Sequence, residues 1–131
     1  MDASSPSAQR RTALNNSIKL PTVSQHLPIE KYYTLLTSVL VKFLDSYENC
    51  HWDEAYVYGK RYARVAIEVI PLHGYYNTRK YQTNKRDTLR MSNTVLDYLT
   101  TVVEKMDYEE SERNDKVKAE QLVQQKESLS N

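Results

Sequence analysis

The stretch Leu27-Pro28-Ile29-Glu30-Lys31-Tyr32-Tyr33 through Val69-Ile70-Pro71-Leu72-His73-Gly74-Tyr75-Tyr76 carries most of the information on how this chain folds. Between its ends, Ile29, Tyr32, Tyr33, Leu36, Val39, Leu40, Phe43, Leu44 and Tyr47 recur at helical spacing. At about 100° per residue they sweep half the helix circumference, more than the ~100° stripe of a single packing contact. The first helix is therefore expected to touch two neighbours. Pro28 suits a first turn, where a missing N–H is harmless, and Glu30 complements the positive end of the helix dipole. Glu48-Asn49-Cys50-His51 reads as a turn, with Asn49 as the residue that tolerates the left-handed region.

A second helix is expected from Trp52, with Asp53 and Glu54 in its first turn. Ala55, Gly59, Ala63 and Ala66 fall on one line, a small-residue stripe that admits a neighbouring helix closely, with Phe43 and tyrosines of the first helix filling against it. A different line carries Tyr58, Tyr62, Val65 and Val69 and offers more apolar surface than a hairpin buries. Pro71 stops the helix by restricting Ile70 and removing a donor. Asn84 and Asp87 read as the start of a third helix whose core face is Leu89, Val95, Leu96, Leu99, Val102, Val103 and Met106.

Around these helices the sequence divides into three. Residues 1–25, rich in Ser, Asn, Gln and Arg, carry too little apolar surface to offset ordering and are expected to be a mostly disordered leader. Arg11-Thr12-Ala13-Leu14 is the exception, a helical turn able to dock on the domain. Residues 26–106 form the bundle. Residues 107–131, opening Asp107-Tyr108-Glu109-Glu110-Ser111-Glu112-Arg113, continue the third helix as a charged tail that frays in solvent. The expected fold is all-α, a three-helix bundle with an extended charged C-terminal helix.

Composition narrows the functions. The chain has 131 residues, 40% hydrophobic, enough for one modest core. With 18 basic and 17 acidic residues its formal charge is +1, so no global field draws it to nucleic acid or membrane. One cysteine, Cys50, leaves no intramolecular disulfide and fits a reducing, cytoplasmic setting. No apolar run approaches the roughly 20 residues of a membrane span, the N-terminus lacks an apolar signal, and Asp2 stands where myristoylation needs glycine.

Candidate chemistry is sparse. Cys50-His51 is the only Cys/His pair, and adjacency supplies neither an oriented base nor oxyanion donors. His26, His51 and His73 have no metal-ligand spacing, so no metal, cofactor or enzymatic activity is expected. Arg79, Lys80, Lys85, Arg86 and Arg90, interleaved with Tyr76 and Tyr81, form the one basic aromatic segment. It reads as a solvated loop and helix start suited to acidic protein tails or anionic lipid, ahead of nucleic acid. The eleven tyrosines are mostly core or rim residues, with Tyr58, Tyr62, Tyr75 and Tyr76 suited to an interface.

Taken in order, Leu27-Pro28 to Tyr32-Tyr33, Ala55-Tyr56-Val57-Tyr58, Arg61-Tyr62, Ile70-Pro71-Leu72-His73 and Lys85-Arg86-Asp87-Thr88-Leu89 give a pattern that resembles one domain family. It is similar to the MIT-like N-terminal domain of AMSH-type deubiquitinases, related to the dimerisation domain of endosomal ubiquitin-specific proteases. The resemblance spans about Arg11 to Met106. It implies a helical bundle at endosomes that self-associates or docks ESCRT-III tails, with Tyr58, Tyr62, Val65 and Val69 as partner contacts; Lys85 and Arg86 join them as candidate contacts from the basic segment itself. An AMSH-type enzyme would continue into a zinc metalloprotease domain, whereas this sequence stops at Asn131. The resemblance therefore implies a non-catalytic adaptor that binds a deubiquitinase or an ESCRT-III component, reaches endosomal membrane only through partners, and has homodimerisation as the alternative.

Overall fold

The computed structural model describes residues 5–130; of the leader and tail read above, residues 1–4 and 131 lie outside it. The described chain is all-helical, with four α-helices: α1 (Ala8–Ser17), α2 (Ile29–Glu48), α3 (Trp52–Arg64) and α4 (Gln82–Ser130). Helix α3 is the centre, contacting α1, α2 and α4.

The stripe read from the sequence builds α2: Ile29, Tyr32, Tyr33, Leu36, Val39 and Phe43 are buried in the common core. Its second neighbour is met through aromatic side chains. Tyr47 stacks on Tyr98 of α4 at 4.9 Å between ring centroids and meets Trp52 edge-on at 5.7 Å. At the C-terminus of α2 the left-handed residue is Cys50 (φ 58°), while Asn49 has φ −89°. The amides of Cys50 and His51 donate to the carbonyls of Tyr47 (3.1 Å) and Ser46 (2.9 Å), a Schellman closure one residue later than the sequence suggested.

The small-residue stripe of α3 serves as expected. Gly59 lies where Phe43 and Leu99 converge, and a Cβ there would come within 2.8 Å of the phenyl ring. Pro71 ends the run, but α3 does not reach it as a regular helix. Val65–Val69 form a π turn and Ile70–Leu72 a 3-10 turn. A single wide turn of this kind relieves the register before a residue that cannot continue the ladder.

Helix α4 begins earlier than the Asn84–Asp87 signal, through the 3-10 turn Arg79–Tyr81. Of its expected core face, Val95, Leu99, Val102 and Met106 are buried, Val103 is partly covered, and Leu89 and Leu96 are exposed. Beyond Arg113 it stays helical to Ser130 with every residue exposed, so the charged tail projects as helix where fraying was expected.

The leader needs the largest correction. Helix α1 is ten residues long, contains the Arg11–Leu14 turn expected to dock, and rests on the bundle, making the count of helices four among the described residues. Leu14 packs on the core, and the other anchors are polar. Arg10 bridges Asp53 of α3 (2.7 Å) and Glu109 (3.0 Å) and Glu110 (3.4 Å) of α4. Asp107 accepts from the Ser5 hydroxyl, the Ser7 hydroxyl and the Ser7 amide, placing a carboxylate at the positive end of α1. After α1, Leu20 and Val23 pack on the core.

Candidate partner-binding groove

Helix α1 runs beside α3, with Asn15 near its end donating to the Tyr56 hydroxyl at 2.9 Å, and the packing of α1, α3 and α4 leaves open space between them. A cavity of 420 Å³ lies there, lined by Arg11, Tyr56, Lys60, Leu96, Leu99 and Val103 among others. A second, of 430 Å³, adjoins it through Lys60 and Leu96 and continues past Ala63, Arg64 and Ile67. Together they make one groove along α3.

Helical geometry explains its lining. Tyr56, Lys60, Ala63, Arg64 and Ile67 follow one another at short helical steps, so they share a face of α3 and its π turn. The floor is apolar and the rim of mixed charge, with Arg11, Lys60 and Arg64 set among Glu68, Glu104 and Asp107. Ile67 is 52% and Leu96 39% exposed, so both leave apolar surface open in the groove. Arg64 is partly neutralised by Glu68, with Nε 2.9 Å from the carboxylate.

The residues expected to meet partners lie elsewhere. Tyr62 (4% exposed), Val65 (0%) and Val69 (5%) belong to the buried core, and Tyr58 is packed against it. Their line is rotated from the groove by roughly a third of a turn or more and points to α2, whose Lys42 amine lies 5.8 Å from the Tyr58 ring centroid. Burial pushes the Tyr62 phenol up from its ordinary value. The apolar excess on α3 is thus spent on the common core within the fold. Lys85 is half-buried, its amine 4.8 Å from the Tyr76 ring centroid, and Arg86 is exposed beside Asp87. Both precede Leu96 on α4 by roughly three turns and do not line the groove.

Sequence reasoning missed Lys60, Ile67 and the outward turn of Leu96. The available signal was Ile67 itself, which falls off the Tyr62–Val69 line. At the α1 end of the groove, burial raises the Asp107 carboxyl, but the Ser5 and Ser7 hydroxyls, the Ser7 amide and the Arg11 charge outweigh it and hold the group below its ordinary value. Arg11 itself is buried and donates to the Ser7 hydroxyl at 3.0 Å.

The Cys50-His51 pair is exposed, with His51 3.8 Å from Glu54. Among the described residues no group of three or more His, Cys, Asp or Glu side chains is arranged to hold a metal, and no helix is long and apolar enough to cross a membrane. Comparison with models of known protein families, with curated proteins and with solved structures gives no significant match for this chain.

Proposed function

We propose that this chain is a non-catalytic adaptor of the ubiquitin and endosomal sorting pathway, binding the helical tail of an ESCRT-III component, or a segment of a deubiquitinase, along the α3–α4 groove. The observation that carries this reading is the open groove floored by Leu96, Leu99 and Ile67, with Lys60, Arg64, Glu68 and Glu104 on its rim. An amphipathic segment recognised in a groove needs apolar anchors at helical spacing, and a rim of both charges suits one whose flanks carry charges of both signs. The motif order from Leu27-Pro28 to Lys85-Arg86-Asp87 supports the pathway assignment, and with it a cytoplasmic, endosome-associated setting.

The test is titration of fluorescent C-terminal tail peptides of ESCRT-III proteins against the full chain. Binding should weaken about tenfold or more for Ile67→Asp and for Leu96→Asp, since each removes a buried apolar anchor worth about 1.5–3 kcal/mol. Lys60→Glu should weaken it in a salt-dependent way. Affinity that is absent, or indifferent to all three changes, ends this reading.

Self-association is the second reading, carried by the exposed Val41 and Leu44 on α2. Val39 and Val65, which apolar spacing alone would offer to such a face, are buried within the monomer. A dimer mass by light scattering that returns to monomer in Val41→Asp with Leu44→Asp would select it.

A further inference from the structure

At the end of the bundle where α2 begins and α4 starts, two loops are stitched together. His73, itself buried, places Nε2 2.8 Å from the Leu27 carbonyl. The Gln25 side chain donates to the Leu72 carbonyl at 3.1 Å and accepts from the Gly74 amide at 2.8 Å. These bonds hold Leu72 (68% exposed), Tyr75 (60%) and Leu27 (48%) outward as a fixed apolar tip. Large apolar side chains held into water by satisfied backbone bonds point to a surface they enter.

The tip is ringed by cations. Lys80 sits 4.0 Å from Glu30 at the start of α2, and Lys85 bonds Asn77 at 2.9 Å, two residues from Tyr75. Lys31, Arg79 and Arg86 are exposed on the same turns. The carboxylates on these turns are Glu30, already accepting from the Tyr81 hydroxyl at 2.6 Å, and Asp87 beside Arg86. A chain of formal charge +1 thus concentrates positive charge around a cluster of exposed apolar residues.

We propose that this end of the bundle binds an anionic lipid bilayer directly, with Leu72 and Tyr75 entering the headgroup layer and Lys80, Lys85 and Arg86 facing lipid phosphates. A tyrosine and a leucine within a basic ring match the chemistry of an interfacial anchor, where apolar insertion and attraction to anionic lipid add. Two other occupants fit less well. Tyr76 and Tyr81 are buried, leaving Tyr75 as the one exposed ring of the segment, too few for a stacking track along a nucleic acid. Neither part of the groove reaches Leu72 or Tyr75, so a peptide seated there would not meet the tip, whereas a bilayer accepts exposed apolar side chains without a cleft. The contact is independent of the groove and would hold the chain on a membrane without a partner.

The experiment is co-flotation of the full chain with phosphatidylcholine vesicles, with and without phosphatidylserine. Binding is expected only to the anionic vesicles and should decline as salt rises. Leu72→Ser with Tyr75→Ser, and separately Lys80→Glu with Arg86→Glu, should each reduce it about tenfold or more. All four side chains are exposed, and unchanged thermal melts would exclude misfolding. As a second readout, Tyr75→Trp should show blue-shifted emission on anionic vesicles over the Trp52 background. The proposal is overturned by no flotation, by equal flotation on neutral vesicles, or by charge-reversal losses without loss in the Leu72/Tyr75 variant. It is equally overturned if an acidic peptide or an oligonucleotide binds this end while vesicles do not.

Discussion

Leu99 of α4 crosses α3 so closely that a Cβ placed on Gly59 would stand 2.7 Å from Leu99 Cδ2, with Phe43 of α2 only slightly farther away on the other flank. Both neighbours are buried, and the Phe43 ring is fully enclosed. Gly59→Ala should therefore destabilise the fold by about 1–3 kcal/mol, although the same change in an exposed helix would stabilise it by about 1 kcal/mol. Urea denaturation checks the sign; a stabilised variant would show that the three helices are not wedged at this point.

The Tyr33 hydroxyl is buried and has no hydrogen-bond partner among the described residues. Burial, with a smaller contribution from Tyr76, pushes its pKa from 10.0 up to about 12. The folded value lies above the unfolded one, so the associated stability is whole below about pH 10 and is lost as pH rises toward 12. Tyr33→Phe should leave stability at neutral pH unchanged or raise it by about 1 kcal/mol, and should shallow the alkaline decline. Tyr62 and Tyr76, also raised by burial, keep that decline from vanishing. A Phe variant markedly less stable at pH 7 would mean that the hydroxyl has a partner after all.

Docking of α1 depends on Asp107. Its folded pKa lies below the ordinary 3.8, so its contribution is present above that value and disappears as pH falls through the lowered one. Hydrogen exchange of the amides in Ala8–Ser17 should accelerate at acid pH before the rest of the bundle opens. Asp107→Ala strips the Ser7 amide and hydroxyl of their acceptor and should cost about 1–3 kcal/mol, mostly in that helix. Uniform exchange across the whole bundle in this variant would show that α1 is not a separable unit.

His73 should be locked in one tautomer. Nε2 faces the Leu27 carbonyl and must carry the hydrogen, while Nδ1 accepts from the Tyr75 amide at 3.1 Å. Nitrogen NMR at neutral pH should report the Nε2–H form. His73→Phe retains a ring against Tyr32, now 5.9 Å away edge-on, but loses both bonds and should destabilise the loops by about 1–3 kcal/mol. Averaged tautomers would argue against a fixed apolar tip.

The three long helices and most of their buried stripes were legible in the order of residues, because apolar spacing at 3.6 residues per turn records that a face is covered. Ile29 to Phe43, the Gly59 line and Val95 to Met106 could be read in this way, as could the charged tail. Spacing does not record which neighbour does the covering. That Tyr62, Val65 and Val69 are enclosed in the common core, while Lys60 and Ile67 line the open groove, emerged only from the packed bundle. The same holds for α1, whose anchors are Arg10 and Ser7 joined to carboxylates about a hundred positions away. Beyond the Arg11–Leu14 turn, whose Leu14 does pack on the core, such a helix has no apolar stripe to read, since the rest of its docking uses charges and hydrogen bonds that exist only once the chain has folded.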